Sequence, residues 1–393
     1  VLLSSIYKDF WVTESGIRSK RVKENLISKG CHTRILSLKF SGSIAGKSAI
    51  GNGIIMKILF IGGTGIISTA ISKALVNEGH ELYLINRGSK NSELEGKAKV
   101  LIADINEEEK VADLIKEHNF DVVADFIAFV PAQLERDYRL FKDKTKQFIF
   151  ISSASAYQKP LSDYRINEGT PLSNPYWEYS RNKIACEDYL MKLYREEGFP
   201  VTIVRPSHTY DERSVPLGVH GAKGSYQVIK RMLEGKKVII HGDGTSLWTM
   251  THNSDFAKGF VGLLGNIHAI GEAVQITSDE SLTWNQIYKA IADALGVELK
   301  ACYVSSEFLD AASTEDFRGS LTGDKANTVV FDNAKIKRLV PGFTCTKRFD
   351  QGVKEVIDYV ISHPECQNED IEFDVWCDKV ITALEKAVKE IIK

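Results

Sequence analysis

FIGGTGIISTAISKAL, residues Phe60 to Leu75, is the stretch on which the fold turns. Lys57 to Ile61 reads as a strand, Gly62, Gly63 and Gly65 as a tight turn, and the residues through Ala70, Ala74 and Leu75 as a helix. Glycines without Cβ atoms let the backbone approach a pyrophosphate, whose charge is met by the amino end of the following helix. Position 68, where close packing of strand against helix needs a small side chain, carries Ser68. A glycine-rich turn by itself is a weak signal. Between a strand and a helix it is read as a nucleotide-binding loop.

Outward from that loop, short β-rich runs alternate with longer amphipathic ones: KILFIG, ELYLINR, KVLIAD, DVVADFIAF, QFIFISS and VTIVRP. Strands separated by helical segments predict a parallel sheet with crossover helices. Apolar runs that do not alternate predict strands covered on both faces. After Arg205-Pro206 the rhythm changes to loops, an apolar helix around YQVIKRML, a strand at KVIIHGDG, a helix from Ser254 to Leu264, then EAVQIT, a helix from Thr283 to Leu295 and charged C-terminal helices. The expected architecture is α/β. It has a doubly wound nucleotide-binding domain over residues 56–206 and a smaller α/β substrate lobe over 207–393, with segments near 236–275 returning to the first domain.

The 393 residues are 43% hydrophobic and 26% charged, the balance of an ordinary soluble globular protein. A formal net charge of -2 gives no long-range reason to expect a nucleic acid or membrane partner. No apolar run approaches the roughly 20 residues that span a bilayer. The six cysteines, Cys31, Cys186, Cys302, Cys345, Cys366 and Cys377, show neither a CxxC pair nor a His pair at metal-ligand spacing. They are read as reduced thiols of a cytoplasmic protein, with no metal expected. Residues 1–55 differ from the rest: nine Lys or Arg stand against Asp9, Glu14 and Glu24, so the segment is near +6 and the remainder near -8. Met56 sits where a start codon would. A transit peptide, a basic arm and upstream sequence translated in error compete as explanations, and the last is preferred.

Two strand ends bear on the cofactor. LINRG places Asn86 and Arg87 where an acid would grip the ribose hydroxyls of NAD, and Arg87 suits the extra phosphate of NADP. It reads equally as a solvated surface arginine. Asp104 closes the third strand as an adenine contact or a turn residue. A second motif lies in NPYWEYSRNKIACEDYL, where Tyr179 and Lys183 stand four residues apart on one helical face. A nearby ammonium would lower the tyrosine pKa toward neutrality, for proton transfer coupled to hydride transfer. The spacing recurs at Tyr138/Lys142 and Tyr226/Lys230. Only the Tyr179 copy follows a strand ending in serines, FIFISSASAY. Ser153, near its carboxyl end, is placed to hydrogen-bond a reacting oxygen, with Ser155 as the alternative donor and turn capping as the bland reading.

In order, the glycine loop, ISSASAY, Tyr179 to Lys183 and IVRPSHTY resemble an extended short-chain dehydrogenase/reductase of the NAD-dependent epimerase/dehydratase family, over essentially Met56 to the C-terminus. The resemblance implies a Rossmann domain with bound NAD or NADP. The cofactor set would be Gly62, Gly63, Thr64, Gly65, Ile66, Ile67, Arg87, Asp104, Ile105 and Lys183. Tyr179 would be the acid/base, Lys183 would hold the nicotinamide ribose and tune Tyr179, and Ser153 would orient substrate. Sugar nucleotides are the implied substrates, and a homodimer through two helices of each subunit, one bearing Tyr179, the implied assembly.

The chain departs from that pattern in places. DFIAFVP stands for an HLAA-like turn, with Phe126 and Phe129 beside the cofactor. RPSHTYDER stands for RPxxxYGP, and Trp248 replaces an arginine often available to a diphosphate. Trp248 is read as core packing or as a platform for a base or sugar. Ser155, His208, Trp248, Arg318 and Lys325 are the substrate-side candidates, with His252 also considered for the pocket. The loop and LINRG further resemble an atypical branch that includes chloroplast stem-loop RNA-binding proteins. A non-redox RNA binder is therefore one alternative, and an NADPH-dependent carbonyl reductase is another.

Overall fold

The computed structural model describes residues 54–88, 94 and 96–392. The explanations offered for the leader, and the thiol of Cys31, lie outside the described residues. Strands β1 (Lys57–Ile61), β2 (Glu81–Asn86), β3 (Lys99–Ile102), β4 (Val122–Asp125) and β5 (Phe148–Ile151) join those at Val201–Pro206 and Ala273–Ile276 in one sheet of seven. Its order is β3-β2-β1-β4-β5, then Val201–Pro206, then Ala273–Ile276, and every pairing is parallel. Connections reverse direction between β1 and β4. Such a reversal opens a crevice at the carboxyl ends of the strands, where doubly wound sheets bind ligands.

Burial on both faces explains why the strands read as unbroken apolar runs. Ile58 and Phe60 of β1 enter one core with Ile71 and Leu75 of helix α1 (Ile66–Asn77) and with Phe256 and Phe260. Leu59 and Ile61 enter the opposite core. There they meet Val111 of α2 (Glu108–Ile115), Leu134 of α3 (Pro131–Phe141) and Leu190 of α4 (Glu178–Glu197). A third core gathers later residues, among them Val228, Ile240, Trp284, Val353 and Val380. Within the span 236–275, the helix Asn253–Leu263 packs beside α1 and the strand Ala273–Ile276 extends the central sheet. Val238–His241 does not return to that sheet. It pairs with Ala301–Val304, because its apolar side chains belong to the third core.

Helix α4 is moored by a buried carboxylate. Glu187, 3% exposed, accepts from Arg205 Nε at 2.9 Å and from Ser152 Oγ at 2.5 Å, while the Arg205 guanidinium lies 4.9 Å from the Tyr157 ring centroid. Removing one member of such a pair leaves an uncompensated charge in low dielectric. Glu187→Leu is therefore expected to cost about 3–5 kcal/mol in urea denaturation. Pairing it with Arg205→Leu should recover much of that loss.

Candidate active site

Beyond β5 the chain turns at Ser153, whose side chain accepts from the Ser155 amide at 3.1 Å and caps a short 3₁₀ turn over Ala154–Ala156. Ser153 Oγ lies 2.9 Å from Ser155 Oγ, which accepts from Ser180 Oγ at 2.8 Å. Tyr179 lies in the first turn of α4 and lines the same cavity as Ser153. Three hydroxyls, those of Ser153, Ser155 and Ser180, thus form a chain from the cavity into the helix. Ser180 was not singled out in the sequence.

Lys183, one turn beyond Tyr179 and 2% exposed, donates from Nζ to the carbonyls of Ala128 at 2.7 Å and Ile151 at 2.8 Å. The ammonium also lies 4.6 Å from the Phe129 ring centroid and 5.8 Å from that of Tyr179. Burial pushes its pKa down to about 8. The expected lowering of the Tyr179 pKa is not found. Burial raises it, the Ser153 hydroxyl works against that rise, and the Asp324 carboxylate adds to it. Lys183 has no part in the shift, because its ammonium loses its proton at about 8, below the raised pKa of the phenol.

Ser153, Ser155, Tyr179, His208, Trp248 and Lys325 line one cavity of about 280 Å³, joined by Lys159, Trp177 and Asp324. Trp248 packs in the core, stacked on Trp284 with centroids 5.7 Å apart, and it also borders the cavity. Its indole N–H donates to His208 Nδ1 at 3.3 Å. Burial pushes the His208 pKa down to about 3, so the ring is neutral and its proton resides on Nε2. Arg318 is corrected. It is exposed at the far end of a π-helical turn, Arg318–Lys325, that brings only its last residues to the cavity. His252 is corrected too, since it caps the helix Asn253–Leu263 by accepting from the Ser254 amide.

The glycine loop borders a second cavity, of about 410 Å³, walled by Gly62, Thr64, Gly65, Arg87, Asp104 and Ile105. Gln133 and Arg136 of α3 complete it, with Asn106 and Ile127. Gly62 has φ +86°, and a Cβ there would stand 2.5 Å from Ile127 Cγ2, so the position tolerates only glycine. Ser68 has a task beyond being small. Its hydroxyl donates to the Gly62 carbonyl and accepts from the Gly65 amide, both at 2.8 Å, clipping the loop shut. Gly63 faces Leu84 of β2 instead of the cavity. Ile66 is exposed at the start of α1, and Ile67 packs against the core. Phe126 packs edge-to-face against Phe60 in that same core, with centroids 5.0 Å apart, whereas Phe129 is 47% exposed.

Arg136 donates to Asn106 Oδ1 at 2.7 Å and to Asp137, whose carboxyl is pushed well up by burial and by nearby Asp125. A position at the start of the helix after β4, beside the reversal in strand order, is the signal that could have found Gln133 and Arg136. Lys159 and Asp324 carried no such local signal. Among the described residues, no cluster of three or more His, Cys, Asp or Glu could hold a metal ion, and no helix is long and apolar enough to cross a membrane.

Comparison with known proteins places this geometry. The chloroplast stem-loop binding protein of 41 kDa b of Arabidopsis thaliana is 27% identical over 253 residues, 61% of this chain and 63% of that protein. An uncharacterized UDP-glucose epimerase of Bacillus subtilis, YtcB, is 29% identical over 217 residues, 55% of this chain and 60% of that protein. The chain thus spans less than two thirds of the length of either relative. Among solved structures, dTDP-glucose 4,6-dehydratase from Bacillus anthracis, in complex with NAD, superposes with TM-score 0.63 at 19% identity, covering 79% of this chain and 98% of that one. UDP-glucuronic acid 4-epimerase from Bacillus cereus, in complex with UDP-glucuronic acid and NAD, gives TM-score 0.63 at 22% identity, covering 78% and 99%. These likenesses establish the fold. Residues 58–277, more than half of the chain, match the family model itself, and the protein belongs to the NAD dependent epimerase/dehydratase family.

Proposed function

We propose that the protein is an NAD(P)-dependent epimerase or dehydratase of a sugar or sugar nucleotide, acting through Tyr179, Ser153 and Lys183. The observation that carries this reading is the placement of Tyr179 and Ser153 on the wall of one cavity, with Lys183 one turn further along α4. The glycine loop fits a dinucleotide, since it borders a cavity of about 410 Å³ at the amino end of α1. Gly62, Thr64, Gly65, Arg87, Asp104 and Ile105 would hold its adenosine and pyrophosphate portion. An ammonium has three donors. Two of those on Lys183 are taken by carbonyls, which leaves one for a ribose hydroxyl.

When bound, NAD(P) supplies hydride transfer to and from a sugar carbon. Tyr179 moves the accompanying proton on and off the substrate oxygen, and Ser153 holds that oxygen in place. The raised Tyr179 pKa keeps its hydroxyl protonated at neutral pH in the free protein, so the phenol must first give up that proton before it can serve as the base that oxidation of a sugar hydroxyl requires. The free thiols of Cys186, Cys302, Cys345, Cys366 and Cys377 agree with a cytoplasmic setting.

One observation favours the reductase reading within the same chemistry: Arg87 is exposed on the cavity wall, where an NADP phosphate would meet it. The RNA-binding reading draws on the Arabidopsis relative. It leaves the Tyr179–Ser153–Lys183 arrangement without a task, and residues 56–393 are near -8 in charge, whereas RNA demands basic surface.

Denaturing the purified full chain and identifying the released nucleotide by mass spectrometry tests the reading. Retained NAD supports an epimerase-like cycle, an empty protein that then binds NADPH but not NADH supports a reductase, and retained RNA with no dinucleotide binding overturns both. Tyr179→Phe should lower kcat by roughly 10²–10⁴-fold, the range of a lost general acid, with cofactor affinity unchanged in fluorescence titration. Arg87→Ala should weaken NADP at least several-fold and leave NAD unaffected if the arginine reads the phosphate.

Lys183 also gives stability a pH dependence. Its folded pKa of about 8 lies below the 10.5 ordinary for a lysine. The penalty for burying the ammonium is therefore full below pH 8 and gone above about 10.5. Wild-type stability measured against Lys183→Met should accordingly rise by up to about 3 kcal/mol as pH climbs through that window. A pH-independent difference would show that the ammonium is not penalised.

A further inference from the structure

The catalytic cavity holds two ammonium groups that lack the counter-ions buried lysines need. Lys159 is 3% exposed, lines the cavity beside Ser153 and Tyr179, and its side chain makes no hydrogen bond to any described residue. Lys325 reaches only the Ser320 carbonyl, at 3.5 Å, too far for a good hydrogen bond, and lies 5.8 Å from the Trp177 ring centroid. Asp324 is the acidic group acting on both, and neither lysine closes an ion pair with it among the described residues. One carboxylate offsets one of two charges. The neutral His208 ring adds a third donor, because Trp248 occupies Nδ1 and leaves the proton on Nε2. Buried charge without a partner is costly, so its presence at a site argues for a ligand that supplies the partner.

We propose that Lys159 and Lys325 clamp an oxyanion carried on the sugar unit of the substrate, a carboxylate of the uronate type. The proposal rests on the reading of the cavity as the place where a sugar meets Tyr179 and Ser153. Two oxyanions are available on an acidic sugar nucleotide, the diphosphate and the carboxylate, and cavity size decides between them. At about 280 Å³ the cavity lies at the lower edge of the roughly 300–1,000 Å³ usual for small-molecule sites. It holds one sugar-sized unit instead of a whole sugar nucleotide. An anion within reach of Lys159 therefore belongs to the unit whose oxygen Tyr179 and Ser153 address. Burial lowers the pKa of both lysines, and an arriving carboxylate would oppose that lowering.

UDP-glucuronic acid and UDP-glucose share a diphosphate and differ in one carboxylate, so calorimetric titration of the full chain with each reads the clamp directly. Wild type should bind the uronate at least tenfold more tightly. Lys159→Met and Lys325→Met should each reduce uronate affinity by roughly tenfold to a hundredfold, as expected for the loss of a charge-assisted hydrogen bond, and change UDP-glucose binding less than twofold. Lys159→Arg, which keeps the charge, should retain the preference. Equal affinity of wild type for the two sugars, absence of binding by either, or equal weakening of both in the lysine variants overturns the clamp, the last outcome assigning the lysines to the diphosphate. NAD titration of the same samples keeps the two readings separate. Uronate preference without cofactor binding sinks the redox assignment and leaves the clamp standing, and cofactor binding without uronate preference does the reverse.

Discussion

Two backbone carbonyls, those of Ala128 and Ile151, fix the Lys183 ammonium where β4 and β5 give way to loops. Helix α4 cannot rotate about its axis without stripping a buried charge of its donors' partners, which costs several kcal/mol. Residues four apart share a helical face, so one face of α4 carries three tasks in succession. Tyr179 lines the cavity with Ser153, Lys183 locks the helix to the strand ends, and Glu187 anchors it through Arg205 and Ser152. The Tyr179 hydroxyl is held by the two turns that follow it. Fixing it in this way is a precondition for the acid/base role proposed for it, since such chemistry depends on close placement.

Most of the scaffold was legible in the sequence for one physical reason. Parallel strands covered on both faces are apolar throughout, and each run from KILFIG to VTIVRP contributes a strand of the central sheet. The YxxxK spacing was less decisive, because spacing fixes a helical face and not what that face meets. Tyr138 bonds Glu197 on the surface, with Lys142 over its ring at 5.7 Å. Tyr226 bonds Gln367, and Lys230 pairs with Glu369. Those two copies use the same geometry for surface contacts. The preceding strand with its terminal serines separated the third copy from them, since a strand end in a doubly wound sheet is a position in space as well as in sequence.

What the sequence hid was contact between segments far apart in the chain. Asn174 donates to the carbonyls of both Ser155 and Gly323, drawing the π-helical turn over the cavity. Gly319 and Gly323 make that approach possible, for a Cβ on Gly319 would stand 2.2 Å from Trp177 Cδ1. Arg318 and Lys325 looked equivalent as basic residues of one loop. They sit at opposite ends of an eight-residue turn that packs on Trp177, and only the Asp324–Lys325 end lines the cavity. π-helical geometry is uncommon and is concentrated at functional sites. No local pattern in RGSLTGDK announced it.

Net charge misleads in the same way, because it sums over a surface while binding is local. Acids of the folded unit are engaged in exposed pairs such as Lys99–Glu81, Arg139–Glu108 and Lys146–Asp121, which neutralise each other within a Debye length of about 8–10 Å. Arg87 and Arg136 stand on one cavity, and Lys159 and Lys325 on the other. Arg87 is exposed on its cavity wall, whereas Arg136 and Lys159 are buried, so the cations stand at different depths. A charged contact made at the buried positions is formed in low dielectric, where it is stronger than in water. The local arrangement of these cations is a property that neither the total charge nor any one motif expresses.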